Sequence, residues 1–285
     1  ATVVRETSWR VCPTIPHGSR RMTRWPVQKI RVGALTATVL PLGEISDSLR
    51  DWFAPEAQAV PDGVSHLPVN ALHVGGPGVS VLIDACDPAR YRGEGHTAEI
   101  GPCLRMAGID PAGITHVIIT HGHHDHFCGL ADPRGEPTFP LARHILSPLD
   151  WGDGTLTAEA QRADGKAADP AALEHLFRLG LLDLGDSAPP LPQEITLIDA
   201  PGETPGHRVV RIASGGEVLY FLADLFHVRA EIDDPNLCPI WADDSALKAS
   251  RTRIMAAIRN ETARFLCSHI TDLFSTSHRS NASCA

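Results

Sequence analysis

Residues 120–126 read Thr-His-Gly-His-His-Asp-His, placing four imidazoles and a carboxylate in six consecutive positions. Just before them lies Thr115–Thr120, a β-branched run that predicts a buried strand. A chain leaving a strand aims alternate side chains such as His121 and His123 toward one point. Asp125 and His126 then turn toward a neighbouring point. Imidazole nitrogen and carboxylate oxygen are the donors that zinc and similar divalent ions take, at about 2.0–2.2 Å. Such a density of donors at a strand end points to a metal site rather than a polar surface loop.

The rest of the chain predicts a layered α/β domain. Two short strands are expected between Val27 and Leu42. A hairpin of 68–74 and 79–84 should turn at Gly75–Gly78. Ala98–Ala107 is helix-like and stops at Gly108, Arg143–Leu146 is strand-like, and Ala171–Leu182 has helical spacing. Glu194–Ala200, Arg208–Ala213 and Val218–Ala223 are strand candidates. Ser245–Arg259 reads as a helix capped by Asp243 or Asp244, and Ala263–Cys267 as a last strand. Residues 1–26 lack periodicity and read as an arm with no signal-peptide core. Residues 27–274 form the expected domain, and 275–285 an expected disordered tail.

His121-x-His123-x-Asp125-His126 resembles the H-x-H-x-D-H signature of the metallo-β-lactamase superfamily. Further matches follow in order. Val81–Asp84 resembles the family's strand ending in a structural aspartate, and 201–207 (Pro-Gly-Glu-Thr-Pro-Gly-His) its turn ending in a histidine. Leu222-Ala223-Asp224 resembles the strand before a bridging aspartate, with Ala223 where glycine is usual. Phe265–His269 resembles the closing strand and last histidine, although 270–274 departs from the family's glycine-rich stretch. The resemblance implies a four-layer αββα sandwich. It implies two divalent metal ions, zinc by default, with manganese, iron or cobalt tolerated. His121, His123 and His207 would hold the first ion, and Asp125, His126 and His269 the second, with Asp224 bridging. A hydroxide between the ions, oriented by Asp125, would attack the substrate.

Pro68-Val69-Asn70, Asp224–His227, Pro239-Ile240-Trp241 and the Arg251-x-Arg253 helix resemble the group holding methyl parathion hydrolase and N-acyl homoserine lactonases. That implies hydrolysis of a lactone or ester, with phosphotriesters as a side activity. Alternatives are a glyoxalase II-type thioesterase, a mononuclear iron dioxygenase and a non-catalytic metal-binding protein. His227 stands where related lactonases often carry a substrate-contacting tyrosine. It reads equally as a donor to a developing oxyanion or as a simple loop histidine. Cys128 reads as a packing residue, and His124 as lining a cleft or facing water. His66, His73, His96, His144 and His175 read as surface or core residues.

A formal charge of −9 with scattered acids argues against a nucleic-acid partner. No apolar run approaches the roughly 20 residues of a membrane helix. Seven cysteines without a C-x-x-C pair fit free thiols in a reducing cytosol. The expected partner is therefore a small-molecule substrate, the location cytoplasmic, and the resemblance leaves room for a homodimer.

Overall fold

A computed structural model describes residues 2–3, 25–54, 57, 60, 62–86, 100–131, 136–152, 171–185 and 190–275. Thirteen strands among these form two sheets. The larger sheet runs in the order β2 (Gln28–Val32), β3 (Leu35–Ser48), β4 (Val64–Gly76), β5 (Val79–Ile83), β6 (His116–Ile118), β7 (Arg143–Leu146), β8 (Leu182–Leu184). Its first four strands are antiparallel neighbours and β5 to β8 are parallel. The smaller sheet follows the order β1 (Thr2–Val3), β13 (Phe274–Ser275), β12 (Arg264–Leu266), β11 (Glu217–Phe221), β10 (Arg208–Ser214), β9 (Ile195–Asp199).

Three apolar cores build four layers. Val32, Val74, Val81 and Ile118 of the larger sheet meet Val210, Ile212, Leu219 and Phe221 of the smaller one, forming the seam between the sheets. On the far side of the larger sheet, α1 (Ile100–Met106) and α3 (Ala171–Arg178) contribute Leu104, Leu173 and Leu176. On the far side of the smaller sheet, α5 (Asp244–Asn260) contributes Leu247, Ile254 and Ile258. These residues recur at i, i+7 and i+11, so one stripe of α5 is apolar and packs on the sheet. Asp243 caps this helix by accepting the Ala246 N–H at 3.0 Å. Two shorter helices, α2 (Pro148–Gly152) and α4 (Arg229–Asp233), border the site.

The αββα sandwich is thus as expected, with local differences. The strands β3 and β4 pair from Thr36↔Gly75 to Ser48↔Val64, well past the expected limits, through a register shift between Pro41 and Gly43. That extension is partly exposed, so it carries little hydrophobic signal. The helix expected over 171–182 stops at Arg178, and Gly180 at φ 68 reverses the chain into β8. Thr2 and Val3 pair with Ser275 and Phe274. Residues 4–24 and 276–285, most of the expected arm and tail, lie outside the described residues, as does His96.

His73 and His144 are buried, whereas His66 is exposed. Burial pushes both buried imidazoles down to about 4 from an ordinary 6.5. The unfolded chain therefore takes up a proton near pH 6.5 that the folded chain refuses until near 4. Stability is full above 6.5 and falls as pH drops through that window, by about 3 kcal/mol for His144. His144→Leu should flatten the acid side of a urea-stability profile measured from pH 7 to pH 4. Parallel wild-type and variant profiles would contradict this.

Candidate metal centre

The site lies where strands of both sheets end. In the larger sheet, Asp84 follows β5 and the histidine loop follows β6. In the smaller sheet, Asp224 follows β11, His269 follows β12, and the turn 200–207 joins β9 to β10. Two backbone bonds lock the sheets together here. Arg208 N–H donates to Thr120 O at 2.9 Å and Asn70 N–H to Ser268 O at 3.1 Å.

Two donor clusters result. The ligand atoms of Asp125, His126, Asp224 and His269 all lie within 4.8 Å of one another, and so do those of His121, His123, Glu203 and Asp224. Asp224 belongs to both. Its Oδ2 lies 3.2 Å from His126 Nε2, 3.2 Å from His269 Nε2 and 3.7 Å from His121 Nε2. His207 stands beside His121, with ring centroids 5.1 Å apart, but outside the four-residue cluster. Its Nε2 accepts the Asp224 N–H at 3.3 Å.

The nitrogen facing away from the centre is pinned in each of three histidines. His126 Nδ1 donates to Asp84 Oδ2 at 2.8 Å, His269 Nδ1 to Pro68 O at 2.8 Å, and His207 Nδ1 to Ala200 O at 3.0 Å. Outer partners of this kind fix tautomer and ring orientation in metal sites. Asp84, at φ 61, also accepts from the Thr120 N–H and hydroxyl, which earns its structural role.

The electrostatics divide the cluster. Burial holds His121 well below 6.5 and His207 at about 4, so both are the neutral imidazoles that metals bind. Burial also opposes charge on His126 and His269, yet the Asp224 and Asp125 carboxylates outweigh it. They hold His126 well above 6.5 and His269 at about 9. Against the same burial, His126 and His269 keep Asp125 and Asp224 ionised below the usual carboxylate range. The buried, ionised carboxylates of Asp125 and Asp224 fit cation binding. So do His121 Nε2 and Asp224 Oδ1, both buried without a hydrogen-bond partner.

His227 lies in the loop after Asp224 and is buried, with Nε2 3.4 Å from Asp224 Oδ2. Although burial opposes it, Glu203 and Glu231 hold its imidazole protonated well above 6.5. His124 is buried beside Phe127, with ring centroids 6.2 Å apart, and does not face water. Cys128 is buried with its Sγ 3.8 Å from that of Cys86, consistent with a packing role.

Sequence reasoning missed Glu203, Asp150, Glu231 and Arg251. Asp150, on α2, accepts the Gly122 N–H at 2.7 Å, the Thr204 hydroxyl at 2.9 Å and the Gly206 N–H at 2.6 Å. It thereby ties the histidine loop to the turn that carries His207. A Cβ on Gly206 would lie 2.6 Å from Asp150 Oδ1, which explains that glycine. No local pattern around Asp150 signals this role. Asp150→Ala leaves two loop N–H groups without their acceptor and should lower metal affinity by about 10–100-fold. Competition with a chromophoric chelator measures it; a folded variant with wild-type affinity would refute the assignment.

A double-sheet sandwich whose strand ends gather histidines and carboxylates in two clusters that share one aspartate defines a metal-binding αββα protein. The chain belongs to the metallo-beta-lactamase superfamily, whose family model matches residues 64–269. No curated protein sequence matches it. Among solved structures it resembles AidC, a dizinc quorum-quenching lactonase in complex with a product. The identity is 23% over 90% of this chain and 95% of that one, with a TM-score of 0.73. It also resembles a probable metal-dependent hydrolase from Staphylococcus aureus, at 18% identity over 84% and 91% of the chains and a TM-score of 0.69. A quorum-quenching N-acyl homoserine lactone lactonase gives 18% identity over 85% and 94%, with a TM-score of 0.62. At such identities the likeness carries the fold. No helix among the described residues is long and apolar enough to cross a membrane.

Proposed function

We propose that residues 27–274 form a dinuclear metal-dependent hydrolase acting on a lactone or ester carbonyl. The observation that carries this reading is the pair of donor clusters sharing Asp224. His121, His123 and His207 are assigned to the first ion, Asp125, His126 and His269 to the second, and Asp224 to both. Zinc is the first candidate, and the dizinc lactonase AidC supports it by analogy. Ions held there supply Lewis acidity and lower the pKa of a water toward neutrality.

The chain's own residues then hold and steer. Asp125, kept ionised, accepts a hydrogen bond from the attacking water and aims it. Protonated His227, fixed from behind by Glu231, donates to the oxygen on which charge develops. No cysteine among the described residues is placed as a nucleophile: burial pushes the Cys267 thiol far up, and Cys128 packs on Cys86. A small-molecule lactone is the proposed partner, with phosphotriesters a secondary substrate class.

Elemental analysis beside a panel of lactones, thioesters, phosphotriesters and β-lactams tests the reading. Two ions per chain and fastest turnover of lactones are expected. In oxygen-18 water, label should enter the product in the first turnover. Label appearing only after a second cycle would mean a covalent intermediate, and one ion at saturation would end the dinuclear assignment.

A further inference from the structure

Glu203 stands four residues before His207, in the turn between β9 and β10. The resemblance assigns it nothing. Its side chain is 0% exposed, with Oε1 3.1 Å from His123 Nδ1 and 3.4 Å from His227 Nε2. Oε1 also accepts the Trp241 indole N–H at 2.7 Å, while Oε2, equally buried, has no hydrogen-bond partner. A buried oxygen left without a donor costs about 1–3 kcal/mol, and more when the group is charged. Native folds keep such atoms where something outside the protein satisfies them.

Donors about 2.1 Å from one tetrahedral ion lie roughly 3.4 Å from each other. The 3.1 Å between Glu203 Oε1 and His123 Nδ1 and the 3.7 Å between His121 Nε2 and Asp224 Oδ2 bracket that spacing. Glu203 therefore meets the geometric demand of the first cluster. His207 stands beside this cluster, its Nδ1 donating to Ala200 O and its Nε2 accepting the Asp224 N–H.

We propose that Glu203 is a direct ligand of the first metal ion, added to His121, His123, His207 and Asp224. The proposal rests on the dinuclear reading and adds a second carboxylate, beside Asp224, at this ion. It raises the carboxylates around the two ions to three: Asp125, Glu203 and Asp224. An added hard oxygen donor shifts the first position toward manganese or iron relative to the same set without it.

The test compares wild type, Glu203→Gln, Glu203→Asp and Trp241→Phe, each loaded separately with zinc, manganese and cobalt. Ions are counted after dialysis, affinities are read by chelator competition, and the visible absorption of the cobalt forms is recorded. Glu203→Gln should keep the second ion and bind the first at least about tenfold more weakly. Its manganese affinity should fall more than its zinc affinity, and its cobalt bands should change. Trp241→Phe removes the indole donor alone and should keep wild-type ion counts and bands. If Glu203→Gln does not fold, Glu203→Asp, with the charge kept and the reach shortened, should also bind the first ion more weakly. Glu203 variants indistinguishable from wild type, or from Trp241→Phe, would overturn the proposal, reducing Glu203 to a holder of Trp241. Wild type binding no ion, or one, would instead sink the dinuclear reading beneath it.

Discussion

Asp224→Ala should empty both metal positions and reduce lactone hydrolysis by at least about 10²–10³-fold, the scale of losing one electrostatic stabiliser from an acyl-transfer site. Among the described residues Asp224 is common to both donor clusters, and its Oδ2 lies within 3.2–3.7 Å of four histidines. Removing its carboxylate leaves each remaining set short of its shared anionic donor. His207→Ala, by contrast, should disturb mainly the first ion. Elemental analysis of the two folded variants decides the matter. If Asp224→Ala retains two ions, the aspartate does not bridge.

Arg251→Met should destabilise the fold by about 3–5 kcal/mol, because it leaves a buried carboxylate without its cation. Arg251 and Glu231 pair with both side chains 0% exposed. The guanidinium also donates to Leu225 O and Leu237 O, each at 2.7 Å, and lies over the Phe226 ring at 4.7 Å. Through these bonds α5 fixes the segment that follows Asp224. Glu231 in turn accepts the backbone N–H groups of His227 and Val228. A loss of this size lowers the melting temperature on the order of 10 °C. Adding Glu231→Gln to Arg251→Met should recover part of it, since the orphaned charge is gone. A single variant that melts with wild type would show that the pair contributes no net stability.

The metal loop was legible because its signal is local. A β-branched run ending in His-x-His-x-Asp-His needs no distant information, and strand geometry alone aims those side chains. The longer elements were legible for the same reason: the apolar stripe of α5 and the β5 and β10 runs carry their own periodicity. The outer halves of β3 and β4 were not, because a partly exposed ribbon is held by backbone pairing that leaves little apolar pattern.

The sequence by itself determined the family, the layered fold and the seven expected donors, since each rests on residues close in the chain or on motifs in a set order. Tertiary structure alone decided how those donors are grouped. Asp224 reaches both clusters because two sheets end at one edge. Glu203 comes within 3.1 Å of His123, eighty positions earlier in the chain, because the turn 200–207 is tied to the histidine loop through Asp150. His227 is buried and charged because Glu203 and Glu231 flank it, and Glu231 stays there because Arg251 arrives from a helix on the outer layer. A carboxylate's partner, and therefore its charge and its use, is fixed by what folds against it, and neighbours in space leave no mark on the neighbours in sequence.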